Sequence, residues 1–317
     1  MQTRFNAPTI QLAKRRESDL RLGDLIQQQS PDADDTQRQI VLIGFPVDEG
    51  VRRNGGRVGA AAAPDAIRTA LFRLTPDPRI PCFEELLRSV VDWGNVATSD
   101  DLESDQEGLS EIVAYCLEQE LTPVILGGGH ETSFGHFLGY ARADKRVAIV
   151  NVDAHPDVRP MTEVGGHSGS PFRQAILHES GAVSSYSVFG LAPHACQPSL
   201  IDFIKAHGGY VRWRDDIILA DFEAHLGKIE TNCLATMDLD ALDQSIASGV
   251  SAPNPHGLCK SLWLGMAELM GRSQTTRSFD LVEYNPQFDC DAQTARVAAL
   301  TIWYFLRGYS SRTGCQP

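Results

Sequence analysis

The feature that most constrains the fold of this chain is a regular alternation of short apolar runs with amphipathic segments. Six runs are almost continuously hydrophobic, as is typical of strands covered on both faces. Between them, apolar residues recur at helical spacing, and such alternation indicates a parallel sheet with helices on both sides. The sequence therefore predicts an α/β fold with three layers, αβα, around a mostly parallel central sheet. The runs comprise residues 40–45, 123–128, 147–153, 187–191, 233–240 and 278–283.

The polar and apolar segments divide the 317 residues unevenly. Residues 1–38 are polar and aperiodic, so we interpret them as an N-terminal extension. The alternation then continues over residues 39–310 without an internal repeat or a clear linker, which favours a single domain. A domain of this length can bury one substantial core. Residues 311–317 are interpreted as a C-terminal tail.

Charge and cysteine usage narrow the classes of partner and compartment. The chain has 28 basic and 41 acidic residues, a net charge of −13, whereas nucleic acids and anionic lipids attract positive surfaces. No apolar run reaches the ~18 residues of a membrane span. The seven cysteines are scattered and form no C-x-x-C pair, which favours reduced thiols and argues against a thiolate zinc site. We expect a cytoplasmic protein with neither a nucleic-acid partner nor a membrane partner.

Aspartate and histidine residues cluster where three of the predicted strands end. Ligands gather beyond the carboxyl ends of parallel strands, and side chains at positions i, i+2 and i+4 of an extended segment share one face. Carboxylates brought together in an apolar setting repel one another unless a cation neutralises them. The spacing therefore predicts a divalent metal site. Its candidate ligands are His130, Asp153, His155, Asp157, Asp238 and Asp240.

The composition of this ligand set indicates the number and type of metal ions. Six side chains are more than one ion needs, so we expect two ions bridged by shared carboxylates and by a hydroxide that attacks the substrate. Mostly oxygen ligands with one imidazole per ion suit Mn²⁺, whereas zinc usually takes more nitrogen or sulfur and Mg²⁺ keeps several waters. The expected cofactor is two Mn²⁺ per subunit. With four aspartates and the hydroxide the centre is slightly anionic, which favours a cationic substrate.

Four sequence blocks resemble the ureohydrolase family, which includes arginase, agmatinase and formimidoylglutamase. They are GGGHE, DAHPD, MDLDALD and LVEYNP, and the resemblance extends over residues 40–307. It implies an arginase-like fold in which His130 and His155 each bind one Mn²⁺ and the four aspartates complete the ligand set. It also implies that Glu283 receives the planar amidinium or guanidinium group of a small-molecule substrate, and that subunits form a homo-oligomer, a trimer or a hexamer.

Three features resemble the formimidoylglutamase branch of the family more than arginase or agmatinase. Gly129 and Glu131 flank His130, where the other two enzymes usually show Gly-Gly-Asp-His-Ser. The segment DEGVRRN resembles that branch, and so does DAHPDVRP together with the later SGSPFR. The resemblance implies Mn²⁺-dependent hydrolysis of N-formimidoyl-L-glutamate to L-glutamate and formamide, a reaction of histidine degradation.

A substrate with an amidinium group and a dicarboxylate tail requires acidic and basic groups in one site. Arginine is suited to binding carboxylates, although each candidate arginine could equally make a structural ion pair. His167 is shifted by one residue from the histidine of the arginase pattern, so we expect a surface or loop residue rather than a proton shuttle. Asp157 is expected to carry a proton to the departing amine. The candidate substrate-binding residues are Arg52, Arg53, Asn54, Arg57, Ser168, Arg173 and Glu283.

Other functions stay open at this point. Another ureohydrolase, such as a guanidinobutyrase, an arginase or an agmatinase, would release urea rather than formamide. A zinc deacylase of the same overall fold needs one metal and would leave Asp153 and Asp238 without a role. A catalytically inactive scaffold usually lacks metal ligands, whereas all six candidates are present in this chain.

Overall fold

The central sheet contains ten strands in the described part of the chain, namely residues 5–10, 19–31, 33 and 38–313 of a computed structural model. The strands are β1 (Phe5–Asn6), β2 (Gln27–Gln28), β3 (Ile40–Phe45), β4 (Val90–Val96), β5 (Thr122–Gly127), β6 (Val147–Val152), β7 (Val183–Leu191), β8 (Tyr210–Trp213), β9 (Asn232–Asp238) and β10 (Thr276–Val282). Their spatial order is β1-β4-β3-β5-β10-β9-β6-β7-β8, and β2 also pairs with β4. Every pair is parallel except β1 with β4, which confirms the predicted mostly parallel sheet.

Helices cover both faces of this sheet, and two apolar cores result. Successive residues of β3 alternate between them, since Ile40 and Leu42 lie in one core and Val41 and Ile43 lie in the other. The three-layer αβα arrangement is therefore confirmed. The helices in the described part of the chain are α1 (Leu22–Leu25), α2 (Glu49–Arg53), α3 (Ala63–Leu71), α4 (Pro81–Arg88), α5 (Leu102–Glu118), α6 (Thr132–Arg142), α7 (Pro171–Ile176), α8 (Pro198–Ala206), α9 (Leu219–Leu226), α10 (Lys260–Arg272) and α11 (Gln293–Ser310).

Four of the ten strands were not predicted from the apolar runs: β1 and β2 in the N-terminal extension, and β4 and β8. Strand β4 has the sequence VVDWGNV, in which Asp92 and Asn95 interrupt the hydrophobic pattern although every residue of the strand is buried. Strand β8 is only four residues long and half-buried, because it lies at the edge of the sheet. Both strands depend on tertiary partners more than on a local apolar pattern.

Parts of the predicted N-terminal extension pack against the sheet. Strands β1 and β2 both pair with β4, and Leu22 and Leu25 of α1 are buried in the apolar core. Residues 1–4, 11–18, 32, 34–37 and 314–317 lie outside the described residues. The division at residues 38 and 310 stays a prediction.

The described helices and cysteines test two further expectations from the sequence, the lack of a membrane span and the reduced state of the thiols. None of these helices combines the length and the apolar character that crossing a bilayer requires. Cys116, Cys196, Cys233, Cys259 and Cys290 are free thiols, as predicted. Cys82 is disulfide-bonded, so the expectation of reduced thiols is wrong at this position.

A buried ion pair connects α3 to β4. The Arg68 guanidinium donates to the Asp92 carboxylate at 2.9 Å from Nε and 3.0 Å from Nη2, and both side chains are fully buried. Its remaining donors reach the Asn95 side chain and the Gly94 carbonyl oxygen. A buried charge is tolerated when it is paired and fully hydrogen-bonded, and this network explains how a polar strand occupies the interior.

We predict that R68M lowers the free energy of unfolding by about 3–5 kcal/mol, because the buried Asp92 carboxylate would lose its cation. The double variant R68M/D92N buries no unpaired charge and should recover a large part of this loss. Chemical denaturation followed by circular dichroism measures both values. A loss below about 1 kcal/mol in the single variant would contradict the prediction.

Candidate metal centre

The candidate ligands lie at the carboxyl ends of three strands, β5, β9 and β6, and β10 lies between β5 and β9 in the sheet. His130 follows β5 after a glycine turn, Asp153 directly follows β6, and Asp238 is the last residue of β9. Glu283 directly follows β10. Because parallel strands end at the same sheet edge, residues as far apart in sequence as 153 positions are in contact here.

Four side chains converge on a first potential metal position. The Nδ1 atom of His130 lies 2.9 Å from Asp157 Oδ2, 3.0 Å from Asp238 Oδ2 and 3.3 Å from Asp153 Oδ2. All four residues are buried, and the ligand atoms they offer lie within 4.8 Å of one another. Three carboxylates around one imidazole nitrogen form a donor set that a divalent cation would hold together.

A second group shares one aspartate with the first. The Nδ1 atom of His155 lies 3.0 Å from Asp240 Oδ2 and 3.6 Å from Asp153 Oδ1. Asp153 therefore directs Oδ2 towards the first group and Oδ1 towards the second. A shared carboxylate is the usual way to bridge two ions, so the structure brings all six predicted ligands together in the arrangement of a two-metal site.

Unpaired polar atoms test whether this site fits a pair of cations. His130 Nδ1 and Asp240 Oδ1 are buried without a hydrogen-bond partner among the described residues. Buried polar atoms are seldom left unpaired, so these two indicate that a ligand completes the site. Backbone groups orient neighbouring carboxylates, because the His155 N–H donates to Asp153 Oδ1 at 2.6 Å and the Asp240 N–H donates to Asp238 Oδ1 at 2.8 Å. The residues fit two Mn²⁺.

The charges of this cluster oppose one another in the buried site. Burial and the neighbouring Asp153 raise the pKa of Asp157 to about 6, and burial with Asp240 and Asp153 raises the pKa of Asp238 well above its usual range. Burial lowers the pKa of His130, but the three aspartate carboxylates close to its Nδ1 outweigh burial and leave that pKa well above the usual range. The site therefore retains protons that divalent cations would displace on binding.

Glu283 is held beside this cluster in an uncommon backbone conformation. Its φ of 67° lies in the left-handed region, which non-glycine residues seldom adopt. Its N–H donates to the Gly128 carbonyl oxygen at 2.8 Å, and its Oε1 accepts the His130 N–H at 2.8 Å. Burial, with the nearby Glu131 and Asp240, raises the pKa of Glu283 well above its usual range. A cationic group bound to this carboxylate would offset the cost of ionising it.

The GGGHE block is a packing unit shared with α2. Glu131 Oε1 accepts the N–H of Gly50 on α2 at 2.8 Å, and a Cβ atom at Gly50 or Gly129 would collide with the Glu131 carboxylate. A Cβ atom at Gly128 would collide with the Val47 backbone. Because these positions are glycines, the turn that carries His130 can approach the segment around Val47 and Gly50 closely.

A cavity of about 330 Å³ opens onto the cluster. Glu283 and the ligands His155, Asp157, Asp238 and Asp240 line it, whereas His130 and Asp153 are fully buried and do not. The volume suits a small substrate. Other lining residues include Asn54, Arg57, Arg159 and Ser168.

Arg57 and Arg52, two of the predicted substrate-binding arginines, both already have partners within the protein. Arg57 lines the cavity, but its guanidinium donates to the carbonyl oxygens of Val250 and Ser251. Arg52 is 66% exposed and pairs with Glu49 on its own helix. Arg52 does not line the cavity described above.

Arg53 and Arg173 line a neighbouring cavity instead. Arg53 pairs with Glu103, its Nη1 lying 2.5 Å from the carboxylate, so its charge is neutralised locally. Arg173 donates from Nε to the Val158 carbonyl oxygen at 2.6 Å and packs its guanidinium on the Phe203 ring. Neither side chain lines the cavity that opens onto the metal cluster.

Asn54 and Ser168 form one wall of the cavity, because the Asn54 amide donates to Ser168 Oγ at 3.1 Å. His167 lies in a loop as expected, but it is buried rather than on the surface. Its Nε2 and Nδ1 atoms bond to the Pro160 carbonyl oxygen and the Gly169 N–H. Both ring nitrogens are thus engaged by backbone groups.

Arg159 was not assigned a role from the sequence. It lines the cavity, and among the described residues none forms a hydrogen bond or an ion pair with its guanidinium. Its backbone is fixed, since its N–H donates to the Gly169 carbonyl oxygen at 2.8 Å. The available signal was its position in DAHPDVRP, two residues after Asp157. The structure thus adds an unpaired cation to the site.

Comparison with known proteins identifies the family of this chain. The model of the arginase family matches residues 38–307. A formimidoylglutamase of Chromobacterium violaceum is 38% identical over 279 residues, 84% of this chain and 87% of that protein. A formimidoylglutamase of Rhodococcus jostii is 38% identical over 277 residues, 83% of each. The crystal structure of Trypanosoma cruzi formiminoglutamase with Mn²⁺ superposes with a TM-score of 0.83 and 31% identity, covering 93% of this chain and all of that chain.

This chain belongs to the arginase family. The predicted resemblance to ureohydrolases and the arginase-like fold are therefore confirmed. The relatives named above are formimidoylglutamases, the branch that the GGGHE block indicated. The roles of individual side chains stay predictions.

We predict that E131Q changes how the stability of the metal-free protein depends on pH. Burial raises the pKa of Glu131 to about 7, above its usual value of 4.5, so the folded state binds this proton more tightly than the unfolded state. The stability that this proton contributes is present below pH 4.5 and is lost as the pH rises through 7.

Glutamine does not titrate. As the pH rises from 4.5 through 7, the free energy of unfolding of E131Q should therefore increase relative to that of the wild type by roughly 3 kcal/mol. Denaturation in the presence of a chelator between pH 4.5 and pH 8 measures the difference. A difference that stays constant across this range would disprove the assignment.

Proposed function

We propose that this chain is a formimidoylglutamase that hydrolyses N-formimidoyl-L-glutamate to L-glutamate and formamide with two Mn²⁺. The observation that carries the proposal is one cavity lined by four of the six candidate ligands, by the buried Glu283 and by Arg159, whose guanidinium has no partner among the described residues. The names of the bacterial relatives and the Mn²⁺ in the T. cruzi structure support this choice.

The two overlapping groups assign the ligands. His130, Asp157 and Asp238 would hold one ion, His155 and Asp240 would hold the other, and Asp153 would bridge them. Bound there, two Mn²⁺ supply a water whose pKa falls from about 15.7 towards neutrality, and hence a nucleophile at physiological pH. The chain's own residues must then hold the substrate carbon against that nucleophile and supply a proton to the nitrogen that leaves.

Glu283 is suited to the amidinium end of the substrate. A planar amidinium carries N–H donors that match the two oxygens of a carboxylate. Glu283 is fixed by the backbone of Gly128 and His130, so it would present its carboxylate in one orientation. The formimidoyl carbon would thereby face the metal cluster, because His155, Asp157 and Glu283 line the same cavity.

Arg159 is suited to the opposite end of the substrate. Formimidoylglutamate carries two carboxylates there, and the Arg159 guanidinium, which has no partner among the described residues, is available to pair with one of them. Arg57 lies in the same cavity but donates to backbone carbonyl oxygens, so it would shape the wall. Agmatine has no carboxylate and would gain nothing from Arg159.

Asp157 is suited to the proton transfer. Attack on the formimidoyl carbon breaks its bond to the glutamate nitrogen, and that nitrogen needs a proton to leave as an amine. Asp157 lines the cavity and is also a candidate ligand of the first ion, so its carboxylate would lie close to the metal-bound water. It would carry this proton from the nucleophile to the departing nitrogen.

We also propose a cytoplasmic homo-oligomer, a trimer or a hexamer, that acts on a small molecule without a nucleic-acid or membrane partner. The resemblance to ureohydrolases supports the oligomeric state. The net charge of −13 argues against nucleic acids and anionic membranes, which attract positive surfaces. A domain division at residues 38 and 310 belongs to the same set of proposals.

We predict that the protein loaded with Mn²⁺ releases formamide and glutamate from formimidoylglutamate, and reacts far more slowly with arginine, agmatine and guanidinobutyrate. Product identification by mass spectrometry measures each reaction. D153N is the control, because it weakens the carboxylate shared by both metal positions. Urea from a guanidino substrate as the main activity would favour another ureohydrolase, and inactivity with all four substrates would favour a scaffold.

We predict that R159A raises the KM for formimidoylglutamate about 10- to 100-fold, the usual value of a hydrogen bond to a charged group. R159K should recover part of the loss, since it restores the charge without the guanidinium fork. R52A is the matched control, because Arg52 is exposed, pairs with Glu49 and should leave KM unchanged. Equal effects of R159A and R52A would show that Arg159 does not bind the substrate carboxylates.

A further inference from the structure

A polar layer lies directly beneath the candidate ligands. Asn151, Thr236 and Asp280 are side by side on β6, β9 and β10, because Thr236 is the register partner of the other two. All three are fully buried. Residues two positions apart on a strand share one face, so Asn151 lies under Asp153 and Thr236 under Asp238. Asn151 supports its ligand directly, since its Nδ2 donates to Asp153 Oδ2 at 3.1 Å.

A chain of hydrogen bonds runs from the ligand His130 into this layer. His130 Nε2 lies 3.1 Å from Thr236 Oγ1, and Thr236 Oγ1 lies 3.3 Å from Ser133 Oγ. Ser133 Oγ lies 3.0 Å from Asp280 Oδ2. Every member of the chain is buried, so none of these groups exchanges its partner for solvent.

The chemistry of the two ends sets the direction of this chain. A carboxylate accepts hydrogen bonds, so Ser133 must donate to Asp280. Ser133 Oγ then accepts from Thr236, and Thr236 Oγ1 accepts from His130 Nε2. The Nε2 atom of His130 therefore carries the hydrogen, and Nδ1, which faces the aspartates, presents its lone pair.

Asp280 is itself held by a second donor. His136 Nδ1 lies 2.7 Å from Asp280 Oδ2, and both side chains are fully buried. Ser133 and His136 are three residues apart on α6, so they approach Asp280 from the same face of one helix. His130 lies just before this helix, and the helix therefore links the ligand to its support.

We propose that Thr236, Ser133 and Asp280 are positioning residues that hold His130 in its Nε2–H tautomer and so set the affinity of the protein for the metal ion on the His130 side. The inference rests on the proposed ligand set. Outer partners of metal-binding histidines fix the tautomer and the ring orientation, and losing them typically weakens metal binding by about 10- to 100-fold.

The second histidine lacks such support. Among the described residues none forms a hydrogen bond with the Nε2 atom of His155, and its side chain is 26% exposed. The chain of hydrogen bonds therefore acts on the metal position beside His130 and not on the position beside His155. This asymmetry separates the inference from a general loss of stability, which would affect both positions.

The test compares T236V and S133A with S278A. The first two remove links of the chain. S278A removes the 2.6 Å hydrogen bond between Ser278 and Tyr140, which is equally buried and starts from the same strand as Asp280. We expect titration calorimetry with Mn²⁺ to show two ions in the wild type. T236V and S133A should bind one ion about 10- to 100-fold more weakly and the other unchanged, and S278A should keep both affinities.

Thermal unfolding with and without Mn²⁺ separates positioning from packing. Loss of any buried hydrogen bond lowers the unfolding temperature of the metal-free protein, so all three variants should show this fall. Only T236V and S133A should also show a smaller rise of that temperature on adding Mn²⁺, because the rise reports binding to the folded state. D280N should behave like them, and if it fails to fold the other two variants decide.

Three results would overturn the inference. Unchanged Mn²⁺ affinities in T236V and S133A, with two ions in the wild type, would reject it and leave the proposed function intact. An equal loss in S278A would show that buried packing, and not this chain, controls the affinity. Fewer than two ions in the wild type would reject the proposed function together with the inference.

Discussion

The mutual repulsion of buried aspartates is the constraint on which the site depends. Four carboxylates from two strand ends lie in two groups whose ligand atoms are within 4.8 Å of one another. Like charges at this distance in a dry interior are unfavourable unless cations or protons neutralise them. The shared Asp153 and the unpaired atoms of His130 and Asp240 are organised around that need. A cleft with this floor accepts a cationic substrate group, and the buried Glu283 faces the same cavity.

The surroundings of the site depend on packing that joins distant segments. Glu131 fills the space left by two glycines and accepts the N–H of Gly50, so the turn that carries His130 packs together with α2 as one unit. The same segment carries Asn54, which bonds to Ser168 across the cavity. The blocks that distinguish this branch of the family are therefore in contact, and a change in one would require a change in the other.

The polar layer beneath the ligands shows that one strand can supply both a metal ligand and a second side chain that supports the ligands. β6 and β9 each end in or just before a candidate ligand, and two residues earlier each presents a polar side chain on the same face. Asn151 orients Asp153, and Thr236 contacts His130. Asp280 terminates the hydrogen-bond chain, where it accepts from Ser133. Each of these buried side chains has at least one hydrogen-bond partner, which lowers the cost of burying it.

The sequence by itself determined the αβα architecture and the six candidate ligands, because apolar runs and i, i+2 spacings are local patterns that strand geometry converts into a common edge. Tertiary structure alone decided which charges are free. Arg68 is 24 residues from Asp92, and their contact makes β4 a buried strand despite its polar residues. Arg53 is neutralised by Glu103, whereas Arg159 has no partner in the part of the chain that the structure describes, and no local pattern distinguishes the two. Ion pairs between distant segments depend on the packed fold, so the difference between these two arginines became visible only there.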